Sequence, residues 1–177
     1  QEVFRKLDAA CKPGCILATN TSYLDVNAIA AATKRPADVI GAHFFSPANV
    51  MKLLEVVRAE KTAADVVHTF MKIARTIGKI PVAVGVCHGF VGNRMLRAYA
   101  RQAQLMLLEG ATPTQVDQAM ESWGMAMGPL AVGDLAGLDI GYRSRRDQGI
   151  EPRSVMESAL SDTLVEMERL GQKSGAG

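Results

Sequence analysis

Cysteine is scarce in this 177-residue chain: Cys11, Cys15 and Cys87 are all there is. They show neither the paired spacing of a zinc site nor an even-numbered disulfide framework, which fits a reducing compartment and leads us to expect no bound metal. An excess of one charge sign is also missing. Twenty Lys and Arg against 18 Asp and Glu leave a net +2, too small to imply a dedicated nucleic-acid surface or a polybasic membrane patch. The longest apolar run, Ile80 to Cys87, is far short of the ~20 residues of a membrane-spanning helix. No charged segment precedes a hydrophobic one at the start, so no secretion signal is read. Internal repeats and low-complexity linkers are absent too. What is present is 48% hydrophobic and 21% charged residues, the composition of a folded globular protein at a length of one domain or two small ones. The chain opens at Gln1 and stops at Gly177 in a Gly-rich stretch, and we expect a fragment of something longer.

The apolar pattern changes character along the chain. Val3, Leu7, Ala10 and Cys11 recur at helical spacing until Pro13-Gly14, followed by a strand at 15–19 and a helix at 24–32. Two short apolar runs, 39–42 and 53–57, read as strands of a sheet covered on both faces. Thr62 is placed to cap a helix whose stripe is Val66, Val67, Phe70, Ile73, Ala74 and Ile77, with Gly78 at its end. A last strand fits 80–86. From Phe90 onward only helices are expected: a long one closed by Gly110, a second opened by Pro113 or Thr114, and a third over 155–170. The fold class is α/β followed by all-α, with the seam at 87–89.

Open α/β sheets bind ligands at strand ends, and polar residues sit there. Asn20-Thr21-Ser22 follows the first strand, His43 follows the second, Glu55 lies inside the third, and Asn93 opens the long helix. Asn20 to Ser22 can equally be a turn or helix cap, and an isolated His is commonly structural. Glu55 is harder to dismiss. Flanked by Leu53, Leu54, Val56 and Val57, its carboxylate is costly to bury without a partner. His43 can supply one, which would fix the imidazole tautomer and leave the other nitrogen as a general base. The competing reading is a surface Glu on an edge strand. His68 is expected in solvent and His88 in a structural role. Arg143, Arg145 and Arg146 read as a solvated helix face, Met120, Met125 and Met127 near Trp123 as core filling, and 171–177 as a loop, not a phosphate-binding turn.

Asn20-Thr-Ser, Gly41-Ala-His-Phe-Phe-Ser-Pro, Met51-Lys-Leu-Leu-Glu55-Val-Val and Gly89-Phe-Val-Gly-Asn93-Arg together resemble, in order and spacing, the L-3-hydroxyacyl-CoA dehydrogenase family. The likeness runs on through Gly124-Met-Ala-Met-Gly-Pro-Leu, Asp134-Leu-Ala-Gly-Leu-Asp139 and Leu170-Gly-Gln-Lys-Ser-Gly, and covers essentially the whole chain. The Phe-Phe-Ser-Pro-Ala version and Tyr142-Arg-Ser-Arg-Arg look most like the dehydrogenase part of multifunctional fatty-acid β-oxidation enzymes. By this resemblance, residues 1–88 are the C-terminal part of a Rossmann-like NAD-binding domain, and residues 89–177 are a helical substrate-binding and dimerisation domain. The implied reaction oxidises L-3-hydroxyacyl-CoA to 3-ketoacyl-CoA with NAD. The implied catalytic residues are His43 as base, Glu55 as its support, Ser22 on the substrate 3-oxygen and Asn93 as an orienting group. Asn20, Ser22, Ser46 and Lys173 are the implied cofactor contacts; Ser46 stands where single-function relatives commonly carry Asn.

The family's first β-α-β unit, with its Gly-x-Gly-x-x-Gly turn for the pyrophosphate, is not among these residues, so the chain is expected to bind NAD poorly on its own. The implied partners are an acyl-CoA substrate and either a second copy or the hydratase part of a longer chain, with no nucleic acid and no membrane. The expected compartment is the cytoplasm, or the peroxisome in a eukaryote. The alternatives are a non-catalytic packing or binding module from the same family, and another Rossmann-type hydroxyacid dehydrogenase using a lysine base, which His-Phe-Phe-Ser-Pro disfavours.

Overall fold

The computed structural model describes residues 1–177, which divide into two compact units, Gln1–Arg94 and Met95–Gly177. In the first, α1 (Glu2–Ala10) is followed by β1 (Leu17–Thr19), α2 (Val26–Ala31), a 3-10 turn, β2 (Val39–Phe44), β3 (Leu53–Arg58), α3 (Ala64–Thr76) and β4 (Ile80–Gly85). The strands form one sheet in the order β1-β2-β3-β4. β1 runs parallel to β2, β3 antiparallel to β2, and β4 parallel to β3. The α/β reading of this part is borne out.

The two central strands are buried because both faces of the sheet are apolar and covered. Along β2, Val39 joins one core cluster while Ile40 and Ala42 join the other; along β3, Leu54 and Val56 join the second and Val57 the first. Each of the fully buried Val, Leu and Ile side chains among these stabilises the fold by about 1.5–3 kcal/mol. By the two-residue period of a strand, His43 and Glu55 therefore face the first cluster, which Phe4, Val26 and Phe90 complete. β2 and β3 approach so closely that a Cβ on Gly41 would lie 2.6 Å from that of Val57.

Side chains tie the helices to this sheet. The Asp25 carboxylate accepts from the Asn27 N–H and starts α2. Arg35 donates to the Asp8 carboxylate and to the carbonyls of Asp8, Cys11 and Lys12. The Lys34 N–H and the Arg35 guanidinium hold the Asp8 carboxyl below its usual range. Thr62 does not cap α3 as expected. Its buried hydroxyl donates to the Val39 carbonyl and accepts from the Ala59 N–H, so a tertiary contact takes the group and Ala63 stands at the cap position.

The second unit is all helical, as expected, but contains more helices than the periodicity announced. α4 (Gly92–Leu108) begins in the first unit; α5 (Pro113–Trp123), α6 (Pro129–Ala136), α7 (Leu138–Asp147) and α8 (Ala159–Glu166) follow. Thr112 and Gln115 form a capping box on α5, and the Asp117 carboxylate accepts from the Leu130 and Ala131 N–H groups at the start of α6, each at 2.9 Å. The expected helix over 155–170 shortens to α8, and Glu168 adopts a φ of 60°. Two side-chain expectations are corrected. Arg145 is not on a solvated face: its guanidinium pairs with Asp162, which is 1% exposed and also accepts from the Arg153 N–H and the Ser158 hydroxyl. Met127, read as core filling, is 36% exposed beside a Trp123 that is 81% exposed, and Met120 and Met125 are only half-buried. No helix is long and apolar enough to cross a membrane.

Replacing Asp162 with Ala strands a half-buried guanidinium and should cost the second unit about 3 kcal/mol in urea unfolding. A loss of about 1 kcal/mol or less, the range of an exposed pair, would show that this cluster is not desolvated.

Candidate active site

The first unit gathers three of the sequence-derived residues into one line. β2 and β3 place His43 directly opposite Glu55 in the antiparallel register, so their side chains leave the same face within easy reach. The His43 Nδ1–H donates to Glu55 Oε2 at 2.7 Å, and His43 Nε2 lies 3.0 Å from Ser22 Oγ. Glu55 is 1% exposed and His43 4% exposed. The surface-Glu reading is therefore excluded, and β3 is an interior strand.

What holds the carboxylate is only partly what the sequence indicated. Glu55 Oε1 accepts from the N–H groups of Val91 and Gly92, both at 2.8 Å, at the first turn of α4. A carboxylate there answers free backbone donors and the positive end of the helix dipole together. Charge-assisted bonds of this kind are each worth about 1.5–3 kcal/mol, so three of them offset a desolvation cost of several kcal/mol. Gly92 is required by packing: a Cβ there would lie 2.5 Å from the Phe45 ring. Phe45 and Phe90 flank the imidazole, with ring centroids 4.6 and 5.6 Å away. These supports escaped the sequence reading. The signal that could have found them is the Gly89-Phe-Val-Gly-Asn motif itself, with two glycines at a helix start.

The remaining expected residues fall as follows. Asn20 is exposed, and its side-chain oxygen accepts from the Phe44 N–H at 2.9 Å, tying the end of β1 to the end of β2. Thr21 takes the turn role considered for this segment, its hydroxyl accepting from the Leu24 N–H. Ser46 is exposed, and Lys79 braces the loop that follows it through the Ala48 and Met51 carbonyls. Asn93 is half-buried on the first turn of α4. His68 is exposed, as expected, and His88 stacks on Tyr23. Lys173 belongs to the second unit, where its ammonium pairs with the Asp139 carboxylate, and Arg143 lies 3.2 Å from the same carboxyl group. A Cβ on Gly137 would lie 2.5 Å from that ammonium. No group of His, Cys, Asp and Glu is arranged to hold a metal ion.

A buried carboxylate, an imidazole with one nitrogen fixed, and a hydroxyl on its other nitrogen are the equipment of an enzyme that moves a proton on and off a substrate oxygen. Residues 1–87 match the model of the 3-hydroxyacyl-CoA dehydrogenase NAD binding domain, and residues 89–177 match that of the 3-hydroxyacyl-CoA dehydrogenase C-terminal domain. The chain belongs to the 3-hydroxyacyl-CoA dehydrogenase family. It is 47% identical over 189 residues to the peroxisomal bifunctional enzyme of Cavia porcellus, covering all of this chain and 26% of that one. Among solved structures it is similar to a 3-hydroxybutyryl-CoA dehydrogenase from Escherichia coli, at 40% identity and a TM-score of 0.88, over 99% of this chain and 38% of that one. The corresponding enzyme from Ralstonia eutropha gives 31% identity and the same TM-score, over 99% and 64%. The chain thus spans about a quarter of the length of the curated relative. The Rossmann-like and helical fold class is borne out.

The Asp139 carboxyl is held below its usual range, first by the hydrogen bond from Lys173. A carboxylate depressed on folding contributes stability above its unfolded value, near 3.9, and loses it as pH falls through the folded value. The thermal stability of the second unit should therefore fall as pH drops below about 4, and Asp139→Asn should remove that part of the dependence. An unchanged pH profile in the variant would show that the pair contributes nothing.

Proposed function

We propose that this chain carries the proton-transfer machinery of an NAD-dependent oxidation of L-3-hydroxyacyl-CoA to 3-ketoacyl-CoA, within a fatty-acid β-oxidation enzyme. The observation that carries the reading is the Ser22–His43–Glu55 line, its imidazole and carboxylate buried and its carboxylate capped by the start of α4. With Nδ1–H given to Glu55, the Nε2 lone pair of His43 is the base. It takes the proton of the substrate 3-hydroxyl, and Glu55 stabilises the imidazolium that forms. The Ser22 hydroxyl hydrogen-bonds the same oxygen as its proton leaves, and Asn93 orients the substrate against the pair. NAD, when bound, supplies the hydride acceptor. Ser22, half-buried, with Asn20 and Ser46 exposed on the neighbouring strand ends, are uncharged hydrogen-bonding groups suited to the nicotinamide end of that cofactor, with Lys173 as a further contact. In this reading residues 1–88 form the C-terminal part of the NAD-binding domain and residues 89–177 the substrate domain.

A packing role accompanies catalysis. The second unit has an open apolar cavity of about 460 Å³ lined by Tyr99, Met106, Val116 and Met120, with Trp123 exposed at the end of α5. Such a surface favours a second copy or the hydratase part of a longer chain as its cover. The peroxisomal and glyoxysomal names of several relatives favour the peroxisome over the cytoplasm for a eukaryotic source.

The test is acetoacetyl-CoA-dependent NADH oxidation by the full-length natural chain. His43→Gln should lower kcat by about 10²–10⁴-fold, the contribution of a positioned general base. A variant that folds, binds NADH and turns over within about threefold of the unsubstituted enzyme would remove His43 from that role.

A further inference from the structure

Cys11 and Cys15 lie outside the site described above. α1 ends at Ala10, and the segment Lys12-Pro13-Gly14-Cys15 closes a tight turn in which the Cys15 N–H donates to the Lys12 carbonyl at 3.2 Å and Gly14 adopts a φ of 76°. Proline then glycine at the centre of that turn is the combination that fixes it in one conformation. The other side of the pair is fixed as well, because Arg35 donates to the carbonyls of Cys11 and Lys12 at 2.9 and 2.7 Å. Both thiols are reduced and half-buried, and both pack against the same apolar cluster. Burial pushes the Cys11 thiol up, and the adjacent Cys15 thiol pushes it further. The two thiols thus flank one tight turn, at partial exposure, on a backbone held by Arg35 and by the turn's own hydrogen bond.

We propose that Cys11 and Cys15 form a reversible dithiol–disulfide pair, oxidised by a hydroperoxide. The Cys15 thiolate attacks the peroxide; its S–O bond forms, the O–O bond breaks, and the leaving oxygen departs as an alcohol or water with the Cys15 proton. Cys11 acts second. Its sulfur attacks the Cys15 sulfenic acid, the S–S bond forms, the S–O bond breaks, and the hydroxyl leaves as water with the Cys11 proton. Two thiols lose two electrons and the peroxide gains them. The pair stands before β1 and Ser22 stands after it, so the bridge forms at the end of the strand away from the imidazole. Cys87 is the comparison thiol: it is half-buried like the other two but lies outside the turn, its sulfur contacted by the Phe90 carbonyl and the Arg94 guanidinium, while the Cys15 thiol donates to the Ile16 carbonyl at 3.6 Å.

The test treats the folded full-length natural chain with hydrogen peroxide, alkylates the remaining thiols and maps the peptides by mass. The expected product is a peptide bridging 11 and 15, lighter by two hydrogens and restored by dithiothreitol, while Cys87 stays alkylated. It should form about tenfold faster in the folded chain than in urea. Cys11→Ser and Cys15→Ser should each abolish it and leave dehydrogenase activity unchanged. Independent alkylation or overoxidation of the two thiols, bridging to Cys87, or equal rates folded and unfolded would each overturn the proposal; the measurement on the unsubstituted chain decides even if a variant fails to fold.

Discussion

The carboxylate of Glu55 is the constraint around which the first unit is arranged. An anion 1% exposed in a sheet is tolerated only where donors replace water, and it has three: the imidazole across the strand pair and two backbone N–H groups from α4. Two pieces of structure deliver these donors. The β2–β3 register delivers the imidazole, and the tight approach of Gly92 to Phe45 delivers the helix end. Fold and site therefore share their strongest electrostatic term, and the group that would serve chemistry also anchors the long helix.

The same device recurs with different consequences. Asp117 receives the start of α6 as Glu55 receives α4, and Asp162 collects a guanidinium, a backbone N–H and a hydroxyl. Only at Glu55 is one of the donors an imidazole whose other nitrogen meets a hydroxyl. That difference separates a structural carboxylate from one suited to support proton transfer.

Much of the first unit was legible because its strands are short, uninterrupted apolar runs and its helices have sharp ends. The His43–Glu55 pairing was legible from the energetic cost of the carboxylate, before any register was known. The second unit was less so. Pro129 reads as a break along the chain but stands at the first position of α6, where its missing N–H costs nothing. α7, Leu-Asp-Ile-Gly-Tyr-Arg-Ser-Arg-Arg-Asp, has too few apolar residues to show a stripe. Arg145 was assigned to solvent because its buried partner, Asp162, is 17 residues away. The two N–H groups on Glu55 belong to the backbone, and the Gly89-Phe-Val-Gly-Asn motif marks the helix start without naming the carboxylate it meets. Such contacts are properties of three-dimensional closure, which local pattern does not encode.

The antiparallel pairing of β2 and β3 also divides the chain by how it tolerates changes of length. Eight residues join the two strands, from Phe45 to Lys52, and beyond Phe45, which packs on the imidazole, and Ser46, that connection can lengthen or shorten at small entropic expense. A single residue lost within either strand turns every following side chain to the other face, sending the imidazole or the carboxylate into the opposite cluster. Insertions and deletions a few positions apart in the gene thus have unequal fates: those in the connection alter a loop, and those in the strands part the acid from the base.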